Sequence, residues 1–306
     1  MKNRPIKNLA ASVHQRLLDK ARHAGRPFNE LLQYFTMERF LYRLSRSKYA
    51  GNFVLKGALM LNVWERTTLP RPTLDIDVLA QRIGNSVDSI VQVVREICNQ
   101  VVDPDGITFD SETVEGGRIA EEAEYEGVRI RLRGSLGNAR LSMQLDVGFG
   151  DVVLPAEVEL DYPTILDFPA PHLRCYSKES MVAEKFEVAV RHGDLHTRMK
   201  DFFDIWFLSR QFDFEGTSLA RAIREVFSRR GTKLSHEVVS LSPTFAQEPT
   251  KAAQWRAFRR RNRLDSAPES FAELMTAVDT FLEPLAAAIH VGLPFKARWG
   301  LSRRWS

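Results

Sequence analysis

The chain has 306 residues, 44% of them apolar and 27% charged, with a formal net charge of +4. That length supports about two domains with a sizeable core, and that composition is the ordinary one of a globular protein. No apolar run approaches the roughly 18 residues of a membrane span, the opening MKNRPIKNLAASVHQRL lacks a signal-peptide apolar core, and Cys98 and Cys175 have no metal-ligand spacing; the chain is expected in the cytoplasm, off the membrane, without a zinc site or disulfide framework.

The spacing predicts helices over 9–24 and 28–47, punctuated by Gly25 and Pro27. In the second, Phe28, Leu31, Leu32, Phe35, Phe40, Leu41 and Leu44 recur at helical intervals. GNFVLKGALMLNVWE then reads as a short strand at Phe53 to Leu55 and a helix at Ala58 to Glu65, with Lys56 and Gly57 at the turn between them. Backbone N–H groups at a helix N-terminus hold phosphate well; plain loop geometry is the alternative reading of that turn.

RPTLDIDVLA reads as the second strand. Leu74, Ile76 and Val78 alternate with Asp75 and Asp77, so both aspartates share one face. Like charges held so close repel and raise each other's pKa, which asks for an explanation. An amphipathic helix is predicted over 86–101, with Ile90, Val93, Val94 and Ile97 on one side. A β-hairpin follows. Val128, Ile130 and Leu132 alternate with Arg129, Arg131 and Arg133, GSLGNA supplies the turn, and Leu141 to Phe149 alternates again. Asp146 lies on the polar face of that last strand. If its strand neighbours that of Asp75 and Asp77, three carboxylates converge, an arrangement that is costly unless a cation occupies it. Mg²⁺ takes oxygen ligands and keeps room for substrate phosphates, and two such ions about 4 Å apart can clamp a nucleotidyl transfer. The third carboxylate could instead accept the proton of an attacking hydroxyl. A solvated polar strand face is the bland alternative.

After a Pro-rich segment at 155–171 the pattern is helical from about Ser177. On a helix through 179–192, Val182, Phe186, Ala189 and Val190 form the apolar arc and Glu184, Glu187 and Arg191 lie on the far side. Lys185 sits at the edge of the arc, either reaching a phosphate or snorkelling with its stem on the core. Asp201 and Asp204 share a helix face, with Arg198 and Lys200 close enough to make simple surface ion pairs. Three stretches are basic: Arg229, Arg230 and Lys233; Arg256, Arg259, Arg260, Arg261 and Arg263; and the C-terminal Lys296, Arg298, Arg303 and Arg304 with Trp299 and Trp305. Phosphate contacts and base stacking would suit such residues; solvated helix faces, a structural role for RRGT and a frayed tail are the alternatives.

The stretches FLYRLSRSKYAGNFVLKGALML, RPTLDIDVL, SKESMVAEKFEVAVRHG, RMKDFFDIWFLSR, AIREVFSRRGTKL and WRAFRRR lie between residues 40 and 261. Their combination resembles the DNA polymerase β-like nucleotidyltransferase superfamily, and within it the AbiEii/AbiGii toxins of abortive-infection toxin–antitoxin systems. The resemblance implies an α+β fold: a polymerase β-like nucleotidyltransferase core with a mixed sheet (51–165), preceded by N-terminal helices packing on it (1–50) and followed by a helical C-terminal domain (166–306) that completes the site and contacts the acceptor. It implies Asp75 and Asp77 as ligands of Mg²⁺ in a two-ion site, with Asp146 as the third superfamily carboxylate. Lys56, Gly57 and Ala58 would approach the NTP substrate, Lys185 would bind its phosphates, and Asp201 and Asp204 would complete the site. It further implies an RNA acceptor, tRNA foremost, and a cognate antitoxin protein as partner. Transfer to a protein such as the antitoxin is the alternative activity. Ala58 stands where the family usually has glycine or a small polar residue, which leaves an inactive nucleotide- or RNA-binding module as a further alternative.

Overall fold

The computed structural model describes residues 8–65, 71–119, 127–235, 237–300 and 302–306. In chain order the elements are α1 (Leu9–Ala24), α2 (Phe28–Arg46), β1 (Phe53–Lys56), α3 (Leu59–Glu65), β2 (Asp75–Ala80), α4 (Val87–Cys98), β3 (Ile107–Arg118), β4 (Gly127–Leu136), β5 (Ala139–Phe149), β6 (Val158–Asp161), β7 (His172–Cys175), α5 (Lys178–His192), α6 (Met199–Gln211), β8 (Phe214–Glu215), α7 (Gly216–Arg229), α8 (Pro243–Ala246), α9 (Pro249–Asn262), α10 (Phe271–His290) and β9 (Arg298–Trp299). The fold is α+β with a mixed sheet, as expected. No described helix is long and apolar enough to cross a membrane. The chain divides into two compact units, one holding residues up to 150 together with 158–175, the other 151–157 together with 176–306.

The first unit is built on a seven-stranded sheet in the order β3-β4-β5-β2-β1-β7-β6. β1 runs antiparallel to β2, while β2 runs parallel to β5 and β1 parallel to β7. Alternation along the strands sends Ile76, Val78, Val128, Ile130, Leu145 and Val147 into the core and their polar neighbours to the other face. The helices begin and end where their caps dictate. The Asn8 side chain accepts from the Ala11 N–H, Gly25 closes α1 in the left-handed conformation, and Ser86 caps α4. Two adjacent charges in α2, Glu38 and Arg39, are fully buried and paired at 2.7 Å. They hold the 162–171 loop, since Glu38 accepts from the Ile165 N–H and Arg39 donates to the Pro169 carbonyl. Burial pushes the Glu38 carboxyl up to about 7 against the pull of Arg39.

Two features of this sheet were invisible in the residue pattern: β3, and the β6–β7 pair. The latter straddles residue 165, the boundary that the resemblance implies between core and C-terminal domain, and keeps residues 158–175 on the sheet, ahead of the helical pattern that begins near Ser177.

The second unit gathers α5, α6, α7 and α10 around Phe202, Phe203, Phe271 and Phe281, all essentially without solvent exposure. Trp255 of α9 is wholly buried and donates its indole N–H to the Pro268 carbonyl. Glu187 refines the sequence reading. It lies on the side of α5 away from the apolar arc, as the spacing predicts, yet that side is not solvated: Glu187 is completely buried, accepting from Arg230 at 2.8 Å and from the Thr232 hydroxyl. The side of α5 opposite the apolar arc is covered by the end of α7 and the RRGT turn, so a carboxylate there must be paired. Arg230 also reaches Asp151 at 3.2 Å. Its role is therefore structural, and it leaves the set of surface cations. The C-terminal tail is likewise packed, with β9 on β8. Trp299 is buried and donates to the Ser209 carbonyl, and Trp305 stacks on Phe281 at 5.6 Å between centroids. Both tryptophans serve packing.

Candidate active site

β2 is the strand that organises the site. Its register sets Asp77 beside Asp146 of β5 and Asp75 beside Gln144. Carboxylate oxygens of Asp75, Asp77 and Asp146 lie within 4.8 Å of one another, on side chains that are neither buried nor fully exposed. The Thr73 hydroxyl donates to Asp75. On the other flank β1 places Lys56 opposite Asp77. The turn after it carries Gly57 at φ +70°, and a Cβ added there would stand 2.1 Å from Asp77 Oδ2. Both facts demand glycine: the conformation is one that side chains resist, and the space belongs to the aspartate. Ala58 follows with its methyl buried, so that position offers a ligand only its backbone.

One member of this site was not singled out in the sequence. Arg129 of β4 faces Asp146 across the hairpin. Its Nε donates to Oδ1 at 2.9 Å and its Nη2 to Oδ2 at 2.8 Å. This is the two-pronged geometry that makes arginine–carboxylate pairs strong. The third carboxylate is thus held in one orientation and partly neutralised by the protein itself.

The remaining predicted residues form a cluster in the second unit. Lys185 Nζ lies 2.9 Å from Asp201 Oδ1 and 2.7 Å from Asp204 Oδ2. Arg198 Nε is 3.0 Å from Asp201 Oδ2. Both aspartates are at most 1% exposed, which overturns the reading as simple surface ion pairs. Burial alone would raise the Asp201 carboxyl; Lys185 and Arg198 overcome it and hold it well below the usual carboxylate range. His196, buried beside them, is pushed down to about 4 by desolvation and is therefore neutral at pH 7. Lys185 is not a snorkelling lysine; it is the central cation of a buried network.

Of the basic stretches, α9 keeps its charge at the surface. Arg256, Arg260 and Arg261 are exposed, while Arg259 donates to the Ala267 carbonyl at 3.2 Å. Arg256, Arg259, Arg260 and Arg263 border a shallow cleft floored by Ala253 and Ala257.

The family model for the nucleotidyl transferase AbiEii toxin of type IV toxin–antitoxin systems matches residues 39–282, from α2 into α10. The chain belongs to the AbiEii nucleotidyl transferase toxin family. No curated protein matches it. Among solved structures it is similar to JHP933 from Helicobacter pylori, at 15% identity over 87% of this chain and 93% of that one, with a TM-score of 0.49. It is also similar to a candidate nucleotidyltransferase from H. pylori, at 15% identity over 87% and 96% of the two chains, with a TM-score of 0.45. Within the matched AbiEii segment lie Gly57, the three aspartates of the sheet and the Lys185 cluster.

The Gly57 geometry makes a sharp prediction for this AbiEii protein. Gly57→Ala should cost about 1–2 kcal/mol from the left-handed backbone alone, with more from displacing Asp77. Thermal unfolding of the variant should show the loss, and its transfer activity should fall with it.

Proposed function

We propose that this AbiEii protein transfers a nucleoside monophosphate from an NTP to a hydroxyl of an RNA acceptor, with tRNA as the expected class. The biological role would be that of a growth-inhibiting toxin restrained by its antitoxin. The observation that carries this reading is the meeting of Asp75, Asp77 and Asp146 within 4.8 Å against the Gly57 turn. The donor set fits a hard divalent cation: every ligand is a carboxylate oxygen, and three such groups are tolerated side by side only when their charge is compensated. Asp75 and Asp77, with Asp146, would hold Mg²⁺. When bound, the ion would neutralise charge building on the transferring phosphoryl group and favour the attacking alkoxide.

The chain's own residues would do the rest. Gly57, lacking a side chain, would let the triphosphate approach the backbone. The acceptor oxygen would bond to the α-phosphorus as the bond to the β-phosphate oxygen breaks and pyrophosphate leaves. Because both oxygens of Asp146 already accept from Arg129, its geometry favours a fixed ligand over a mobile proton acceptor. The hydroxyl proton would then leave to Asp75, Asp77 or water. Lys185 as a phosphate contact, with Asp201 and Asp204 as its partners in the active site, rests on the motif resemblance. The exposed arginines of α9 suit an RNA backbone through phosphate contacts whose strength falls with salt.

Binding linkage tests the nucleotide half of this reading. Mg²⁺ and NTP together, at about one hundred times their Kd, should stabilise the protein by roughly 2.7 kcal/mol. Asp75→Asn should lose most of that gain. An unshifted melting temperature in the native protein with all four NTPs would count against the proposal.

A further inference from the structure

The polar face that carries the three aspartates does not end at Asp146. β4 continues it, because the register sets Gln144 opposite Arg131 and Ser142 opposite Arg133. A cleft of about 570 Å³ opens along this row, bordered by Gln33 of α2, Leu74, Arg131, Arg133 and Gln144. That volume falls within the roughly 300–1,000 Å³ of small-ligand sites. Asp75 and Gln144 are register partners, so the cleft begins one strand from the site. Arg131 and Arg133 are exposed, and among the described residues neither guanidinium has an ion-pair partner. Leu74, beside Asp75, is 71% exposed, an unusual position for a large apolar side chain next to paired carboxylates. Gln144 offers an amide that both donates and accepts, and Gln33, whose Nε2 donates to the Ser142 carbonyl at 3.3 Å, offers its amide oxygen as an acceptor. On the β3 side Glu112 and Glu115 border the cleft, and the register sets Glu115 opposite Arg131 and Asp110 opposite Arg133; none of these carboxylates closes an ion pair with either arginine, so both guanidinium groups remain to anchor phosphate.

We propose that this cleft is the subsite for the terminal nucleotides of the RNA acceptor. Arg131 and Arg133 would hold backbone phosphate, Gln33 and Gln144 would meet base edges, and Leu74 would lie against a base. The inference rests on the transfer reading above, and sheet order supplies the direction. β2 is flanked by β1 on one side and by β5, then β4, on the other. With the triphosphate at the Gly57 turn after β1, pyrophosphate departs on that side. The attacking and leaving oxygens lie roughly in line across the phosphorus, so the acceptor hydroxyl must come from the β5–β4 side, where the cleft lies.

The test is direct binding of a short fluorescein-labelled single-stranded oligoribonucleotide, followed by anisotropy at several salt concentrations. The variants are Arg131→Gln with Arg133→Gln, the single charge reversal Arg133→Glu, and Lys20→Gln with Arg22→Gln on α1 as a charge-matched control. The cleft double variant should bind RNA at least about tenfold more weakly, with a salt slope lower by about 1.4 for the two lost contacts to a single strand. Arg133→Glu should weaken binding in the same direction, and the control should not. The melting-temperature rise with Mg²⁺ and NTP should be unchanged in all. Equal RNA affinity in cleft and control variants, or no RNA binding by the native protein, would overturn the inference. A loss of the NTP shift with RNA affinity retained would also overturn it, since the cleft would then hold the incoming nucleotide. Transfer plays no part in the readout. Cleft-dependent RNA binding without transfer would therefore fault the transfer reading and leave the subsite standing.

Discussion

Asp75→Asn and Asp77→Asn are expected to abolish nucleotidyl transfer while leaving the melting temperature unchanged or higher. Each substitution keeps the shape of the side chain and removes one of three negative charges held within 4.8 Å. In the metal-free protein those charges repel, and Arg129 on Asp146 offsets them in part. Losing one charge should relieve the fold and not burden it. For catalysis the same change removes a cation ligand and its share of charge stabilisation. If that share is about 4 kcal/mol, the rate falls roughly a thousandfold. The two effects separate the site from ordinary structure. A variant that loses activity because its melting temperature has collapsed would mean the aspartates hold the fold, and the metal-site assignment would fail.

Lys185→Met should behave in the opposite way. It strands Asp201 and Asp204, both buried, without their shared cation. Breaking a buried pair from one side costs about 3–5 kcal/mol, which corresponds to a fall on the order of 10 °C in melting temperature. Arg198, still paired with Asp201, softens the loss on that side. Removing the acids as well, in Lys185→Met with Asp201→Asn and Asp204→Asn, should recover much of the stability, because contacting residues do not add. This combined variant then asks the functional question cleanly. If Lys185 contacts the nucleotide, the restored fold will still show little stabilisation by Mg²⁺ and NTP. A native-sized shift in the restored variant would confine Lys185 to a structural role.

The aspartates of β2 and β5 were legible because a two-residue period is easily read and because each strand has one apolar face. Arg129 was also within reach of the sequence. Once Gly137 and Asn138 are taken as the turn, Leu136 pairs with Ala139, and counting back along the hairpin brings Arg129 opposite Asp146. β3 was hidden for a physical reason. ITFDSETVEGGR mixes charges into both faces, and its register shifts between Asp110 and Glu115. β7 is four residues long and pairs in parallel with β1, a strand more than a hundred residues earlier in the chain. No local pattern reports such a pairing. Helical periodicity also fell short for Glu187, since it locates the apolar arc of α5 but not what covers the opposite side. There Arg230 and Thr232, more than forty residues onward, supply the cover.

The most direct test of the central proposal is a transfer assay. The purified protein is incubated with Mg²⁺, total tRNA and each of the four α-³²P-labelled NTPs in turn, with Asp75→Asn as the control. Label is expected on tRNA from at least one NTP, absent in the control and absent without Mg²⁺. Label on a protein band and not on RNA would contradict the acceptor assignment. No label on any macromolecule, from folded protein that still binds NTP, would contradict transfer itself.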